Sequence, residues 1–528
     1  MSNTVFDINN FVNRDAEIDF MDKHCLPSLQ ENRPINPQFI EYNGVWGIGK
    51  TSMLRRIEHH CFTENFYPLW IEASDSPNQS FHKIAEQVRN RYKVTFSFVG
   101  DDLDGSLAAT RALLNSHGRA VLFIDSLDAA KEEQLKHIKE MLHRLTEDGK
   151  LLFIMASRKI IDFGKVAPFK WKLVFRTLKS LSRQSCISYI QKLAQELNEE
   201  QADQIFQLTR GYPVAVEAAV QAVKQEKLDL TQEKGRKQLI QGIYKQIIEQ
   251  GILAEVHQDP DQFLWYHTML SLFAIPRRFN LILMQKMTEK FAEQHKLGSS
   301  LAYMSLQKRL NYNMDLLDWR EDKTGYAMEA PIRHLFLMNL KFENPQRHAQ
   351  IHEFLMEENW RFVMQFSGTD KLHSLQEYLY HSIFCHDEPG LQENIDHAIK
   401  QLLLESHDLL LQFEEEYTRD DELQDALGVY KYRILSAIYS RFAETYWILV
   451  PTALNQEERI DSLYSYILYR IKDPILDLPQ RLSYARQSIE RVKAQESAGV
   501  VQKLIERLSQ HEEIQKLLGN DPQAWNLA

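Results

Sequence analysis

Gly44-Val45-Trp46-Gly47-Ile48-Gly49-Lys50-Thr51-Ser52 is the stretch that decides how this chain is read. It matches G-x-x-x-x-G-K-[ST], with Gly44 and Gly49 as the outer glycines. Glycines let the backbone curl until consecutive N–H groups point inward at phosphate oxygens. In such a loop Lys50 reaches the β- and γ-phosphates, and the Thr51 hydroxyl is a ligand for Mg2+. Phe39 to Tyr42 upstream reads as a strand, whereas Met53, Leu54, Ile57 and Cys61 downstream recur at helical spacing. The loop therefore opens a helix, whose N-terminal dipole favours anions. A glycine-rich turn that merely shares the pattern would leave the flanking strand and helix unexplained. Gly44, Trp46, Gly47, Ile48, Gly49, Lys50, Thr51 and Ser52 are the expected nucleotide-binding residues, and ATP or ADP with Mg2+ the expected cofactors.

Size and composition set bounds around that loop. A chain of 528 residues is long enough for three or four domains. It is 44% hydrophobic and 26% charged, ordinary for a globular protein. Its formal charge is 62 − 73 = −11, so bulk electrostatics disfavour nucleic acid as the main ligand. Cys25, Cys61, Cys186 and Cys385 are scattered without C-x-x-C spacing, which fits a reducing compartment and argues against a disulfide framework or zinc knuckle. No apolar run approaches the length of a membrane span, and the N-terminus lacks a basic-then-apolar signal. A cytoplasmic protein without a membrane partner is expected.

The other chemistry-bearing positions follow in chain order. Phe11-Val12-Asn13-Arg14 is read in two ways, as a base-and-ribose pocket or as a helix start capped by Asn13 or Asp15. Tyr67–Glu72 reads as a strand, followed by a helix near 78–92. Ala120–Asp125 is an apolar run ending in a carboxylate, a buried parallel strand that would set Asp125 beside the phosphates to hold Mg2+ through water. Asp128 either polarises the attacking water or caps a helix at Ala129-Ala130-Lys131. A fourth strand, Leu151 to Ala156, leads into Arg158, which reaches a γ-phosphate or is a solvated surface arginine. Residues 166–230 read as helical, with Pro213 in the first turn of a helix after Gly211-Tyr212.

Taken together, Phe-x-x-Arg, GVWGIGKTS, FIDSLD, MASR and GYPVA resemble, in this order, the NB-ARC/NACHT branch of the STAND class, the signal-transduction ATPases with numerous domains. The resemblance covers roughly residues 8–340. It implies an α/β P-loop NTPase domain with a parallel sheet and lead-in (1–165), a helical lid (166–232), a winged-helix domain (233–345) and an all-α sensor or partner-binding region (346–528). By this resemblance Phe11, Val12 and Arg14 line the base pocket, Arg158 senses the γ-phosphate, and Pro213 packs on adenine or ribose. Lys50, Asp125, Asp128 and Arg158 are the catalytic candidates; Thr51 and Asp125 are the metal candidates. It further implies ATP hydrolysis, which the missing second carboxylate at Ser126 makes slow or assigns to Asp128, and nucleotide exchange that assembles the chain with itself or with an effector in trans.

Two positions depart from the family pattern. Ser126 follows Asp125 where a second carboxylate is usual. Met328-Glu329-Ala330 stands in place of Met-His-Asp, with Arg333 retained, so the phosphate-contacting histidine has no counterpart. The hairpin Leu316–Trp319 and Gly325–Met328 suits a winged helix, and the tail beyond 346 reads as helical without a 34-residue period. Three signals are discounted: the aromatic stripe Tyr432, Leu435, Tyr439, Phe442 and Tyr446 as core; His348 and His352 as a helix surface rather than a zinc site; and Lys165, Lys170, Lys172 and Arg176 as a solvated face or protomer contact. Two rival readings remain, a DNA-binding origin-recognition-like ATPase with a winged helix, and a nucleotide-binding scaffold that never hydrolyses.

Overall fold

The computed structural model describes residues 11–161, 172–401 and 455–511, apart from 13, 32, 34, 147–148, 255, 312–315, 321–324, 387–389, 392, 396, 399–400 and 473–476; between 402 and 454 it describes 409, 412–413, 415–417, 420, 422–423 and 426. Asn13, Lys165, Lys170, the hairpin turn at 321–324 and the aromatic stripe at 432–446 lie outside the described residues. The chain forms two compact units. One comprises Met1–Ala274, Lys308–Leu316 and Met328–Glu343; the other comprises Ile275–Gln307, Leu317–Ala327 and Asn344–Ala528.

The first unit is built on a parallel sheet. Its strands are β1 (Phe39–Asn43), β2 (Tyr67–Glu72), β3 (Ala120–Asp125), β4 (Leu151–Ser157) and β5 (Leu173–Thr177), in the spatial order β2-β3-β4-β1-β5. A parallel sheet needs helical crossovers, and these cover both faces and make the central strands apolar throughout. Accordingly β1, β3 and β4 are buried along their whole length. Phe39, Leu122 and Phe153 meet Ile84, Leu107 and Met141 from the helices α4 (Pro77–Glu86), α5 (Asp102–His117) and α6 (Glu132–Thr146) in one core. Helix α3 (Lys50–Thr63) buries Met53, Leu54, Ile57 and Cys61. Ahead of β1 lie the short helices α1 (Asp15–Phe20) and α2 (Leu26–Gln30). Arg14, not Asn13 or Asp15, occupies the cap position of α1, at φ 81°.

Strand β5 corrects the sequence reading, which made 166–230 helical. It is an edge strand, half-exposed, and its pairing with β1 (Phe39 opposite Leu173, Asn43 opposite Thr177) is a long-range contact that no local pattern announces. The basic side chains along it are tied down within the chain. Lys172 Nζ donates to Gln38 Oε1 at 3.0 Å, and the Arg176 guanidinium sits 4.6 Å from the Phe20 ring. Helices α7 (Arg183–Leu193), α8 (Glu199–Thr209), α9 (Pro213–Glu226), α10 (Glu233–Tyr244) and α11 (Pro260–Phe273) follow, and this unit also holds α14 (Ala330–Glu343).

The second unit contains α12 (Leu281–Phe291), most of α13 (Ser300–Leu310) and the hairpin of β6 (Leu317–Arg320) and β7 (Gly325–Met328), extended by a bridge between Phe279 and Tyr326. Its longest packed pair is α15 (Pro345–Gln365) and α16 (Gly368–Ser382); later come α17 (Gln456–Ile471), α18 (Leu478–Gln495) and α19 (Ala498–Ser509). His348 and His352 are not on a helix surface as expected. Both are buried, with His352 Nδ1 2.9 Å from His381 Nδ1 and His352 Nε2 3.2 Å from His348 Nε2. No helix among the described residues is long and apolar enough to cross a membrane.

Candidate functional site

The loop between β1 and α3 has the backbone its glycines allow. Gly47 and Gly49 lie at φ 76° and 95°, where a Cβ would be strained. Gly49 caps α3, so Lys50 and Thr51 begin that helix at the carboxyl edge of the sheet. Lys50 Nζ donates to the carbonyls of Gly44 (2.7 Å) and Val45 (2.9 Å), which places the ammonium inside the curl of the loop. Burial pulls its pKa down to about 8; Asp128 and Asp125 oppose that fall and Arg158 adds to it.

Opposite the loop, β3 ends in Asp125, which is 3% exposed. Thr51 Oγ1 donates to Asp125 Oδ2 at 2.7 Å, and the Ser126 backbone N–H donates to Oδ1 at 2.7 Å. A hydroxyl and a carboxylate in contact at a helix N-terminus fit Mg2+, which takes one or two carboxylates and completes its octahedron with waters and phosphate oxygens. Among the described residues no group of three or more His, Cys, Asp or Glu could hold a metal alone, so a cation here would rely on phosphate and water.

Strand β4 lies between β1 and β3 and delivers the next groups. Arg158, one residue past its end, is gripped by Asp128: its backbone N–H donates to Oδ1 at 2.7 Å and its Nε lies 3.1 Å from Oδ2. Asp128 thus engages Arg158, while α6 starts only at Glu132, beyond the expected helix at Ala129. Asp128, Arg158 and Asp125 each act on the Lys50 charge, the two acids favouring the ammonium and the arginine opposing it.

The segment at the start of α9 touches the loop directly. The buried Tyr212 donates its hydroxyl to the Trp46 carbonyl, and a Cβ on Gly47 would fall 2.5 Å from Val214 Cγ1. Pro213 stands in the first turn of α9. The Arg14 side chain, almost wholly buried, donates to the carbonyls of Ile48 (3.2 Å) and Lys179 (2.8 Å). Phe11 offers its carbonyl to Lys192 Nζ at 3.0 Å, and Phe11 and Val12 are half-buried. Arg14 therefore binds backbone on both sides of the site.

Sequence reasoning missed two carboxylates. Glu41, in β1, accepts from Ser157 Oγ and from the Ile161 N–H (3.0 Å). Glu72 ends β2 as the register partner of Asp125. The signal for Glu72 was present: two apolar strands each end in an acid.

Sheet order, phosphate loop and the Thr51–Asp125 pair together define the fold of a P-loop nucleotide-binding domain. No protein-family model matches the chain, and no curated protein matches it. Among solved structures it is similar to the Holliday-junction branch-migration motor RuvB of Thermotoga maritima (12% identity, 62% of this chain and 97% of that one, TM-score 0.33). It is similar also to the ORC1 protein of Aeropyrum pernix in complex with DNA (13%, 63% and 93%, TM-score 0.35). A third likeness is to a signal-transduction ATPase with a tetratricopeptide repeat sensor from Pyrococcus horikoshii (13%, 97% and 82%, TM-score 0.29). Scores this low decide nothing between these proteins; the class rests on the sheet and the loop.

Proposed function

We propose that the chain is an ATP-dependent regulatory switch of the STAND type, which binds ATP with Mg2+, hydrolyses it slowly and changes its assembly with itself or with an effector in trans. The observation that supports this best is the bonding of the lid segment to the phosphate loop. Tyr212 holds the Trp46 carbonyl, Arg14 joins Ile48 to Lys179, and Val214 packs against Gly47. A change in the loop on nucleotide binding is then felt at α9 through bonds, and a ligand shifts such an equilibrium through its differential affinity for the two arrangements.

In this reading Lys50 and the loop N–H groups hold the phosphates, and Thr51 and Asp125 hold Mg2+, which would neutralise charge developing on the β–γ bridge. Arg158, kept in place by Asp128, faces the γ-phosphate. Phe11, Val12 and Pro213 border the base, with Arg14 fixing the segment that carries them. Lys50→Ala tests the site: it should abolish ATP binding in a titration while the melting profile stays that of the wild type. Unchanged affinity would remove the reading. Tight, strongly salt-dependent binding of duplex DNA would replace it with a nucleic-acid ATPase.

A further inference from the structure

Hydrolysis needs a group that takes the proton of the attacking water, and the residue after Asp125 is Ser126, which has no carboxylate to do so. The two carboxylates nearest Lys50 are engaged. Asp125 accepts from Thr51 and the Ser126 N–H, and Asp128 clasps Arg158. A third carboxylate stands beside them. Strands β2 and β3 run parallel with Glu72 opposite Asp125, and residues paired this way project from the same face of a sheet. That face is the one beneath the phosphate-loop helix. Two residues back along each strand, Trp70 and Phe123 stack with ring centroids 5.4 Å apart, and Arg55 of α3 sits 3.5 Å above the Trp70 ring. Trp70 also orients the acid, donating Nε1–H to Glu72 Oε1 at 3.1 Å. Among the described residues no hydrogen bond reaches Oε2. The turn that follows is closed by Asp75, whose carboxylate takes the Glu72 N–H at 3.1 Å and Lys83 Nζ at 2.7 Å, so this lysine is occupied by Asp75.

We infer that Glu72, at the tip of the strand beside Asp125, is the general base for ATP hydrolysis. The inference rests on the reading of the site as an ATP site. A water oxygen bonds to the γ-phosphorus as the bond to the β–γ bridging oxygen breaks. The electron pair of that bond leaves with ADP, the water proton passes to the Glu72 carboxylate, and inorganic phosphate is the second product. Proton transfer of this kind contributes about 10²–10⁴-fold to rate.

The test uses the full chain with ATP and Mg2+, measuring single-turnover hydrolysis and, separately, affinity for a fluorescent ATP analogue. Glu72→Gln should slow turnover by about 100-fold or more with affinity within about threefold of wild type. Glu72→Asp should recover part of the rate, and Asp128→Asn should keep more activity than Glu72→Gln. Retained affinity also shows that the variants are folded. Turnover by Glu72→Gln within about threefold of wild type overturns the inference. So does loss of turnover from Asp128→Asn alone, or a wild type that binds ATP and never cleaves it. Lys50→Ala reports on the underlying reading independently: if it binds the analogue as wild type does, the site is not an ATP site and both fall.

Discussion

Glu41 is the third of the five residues of β1, the strand that leads into the phosphate loop, and its side chain is entirely buried. Burial lifts its pKa from the ordinary 4.5 to about 7, against the pull of the hydrogen bonds from Ser157 and Ile161. The native state thus keeps a proton that the unfolded chain has already lost between pH 4.5 and about 7. Stability contributed by this group is present below about pH 4.5 and falls as pH rises to about 7, by about 3 kcal/mol in all. Glu41→Gln removes the titration. Its urea midpoint relative to wild type should therefore move in the variant's favour between pH 5 and pH 8, and parallel midpoints at the two pH values would show that Glu41 is ionised throughout. Ser157 joins Glu41 to the strand that delivers Arg158, so the same variant should leave ATP affinity less pH-dependent than in wild type. This residue was not legible beforehand. A lone acid in an apolar strand gives no hint of its partners, which sit 116 and 120 positions away.

At the scale of elements, the segment from Leu178 to Tyr212 is the joint between the sheet and the helix α9. Leu178 N–H donates to the Asn43 carbonyl at 2.8 Å, and Leu181 N–H to the Gly211 carbonyl at 2.9 Å. Gly211 lies at φ 68°, and a Cβ there would fall 2.1 Å from the Leu181 carbonyl oxygen, which is backbone and cannot step aside. Gly211→Ala should cost about 2–4 kcal/mol, from the left-handed backbone and the clash together. Its effect should centre on α9 and the phosphate loop: faster amide exchange across Tyr212 to Val216, and weaker ATP binding, with the sheet strands protected as before. Uniform loss of protection would mean that the joint is no local element. Four of the five strands could be read because buried apolar runs are local signals. The fifth could not, since Leu173–Thr177 is half-exposed and owes its conformation to β1. The helix start at Arg14 was misread for a related reason: its cap geometry is set by side-chain bonds to Ile48 and Lys179, far along the chain.

For the whole molecule, the proposed switch makes a concrete demand. A non-hydrolysable ATP analogue, and not ADP, should shift sedimentation toward a larger species, alone or with a partner; identical profiles with both nucleotides would count against a self-assembling switch. Glu329 bears on the resting form. A carboxylate held about 4 Å from a phosphate oxygen faces a repulsion of about 4 kcal/mol per charge pair at an effective dielectric near 20, so it does not substitute for a histidine that bonds ADP. Freshly purified protein should accordingly carry little ADP, and Glu329→His more. Stoichiometric, slowly exchanging ADP in the wild type would overturn that expectation.

What the sequence alone determined is the local chemistry: a phosphate loop, the helix it opens, four buried strands, the β6–β7 hairpin, and an acid at the end of β3. Each depends on residues within a few positions of one another, where backbone conformation and periodicity act directly. What only the tertiary structure decided is which of these pieces stand side by side. The order β2-β3-β4-β1-β5 brings Arg158 to Asp128 and sets Glu72 against Asp125; separately, the packing of α15 on α16 turns the α15 histidines inward to meet His381. Strand pairing and burial join residues without regard to their spacing in the chain, and that is why the partners of Glu41, Glu72 and Arg14 emerged only from the fold.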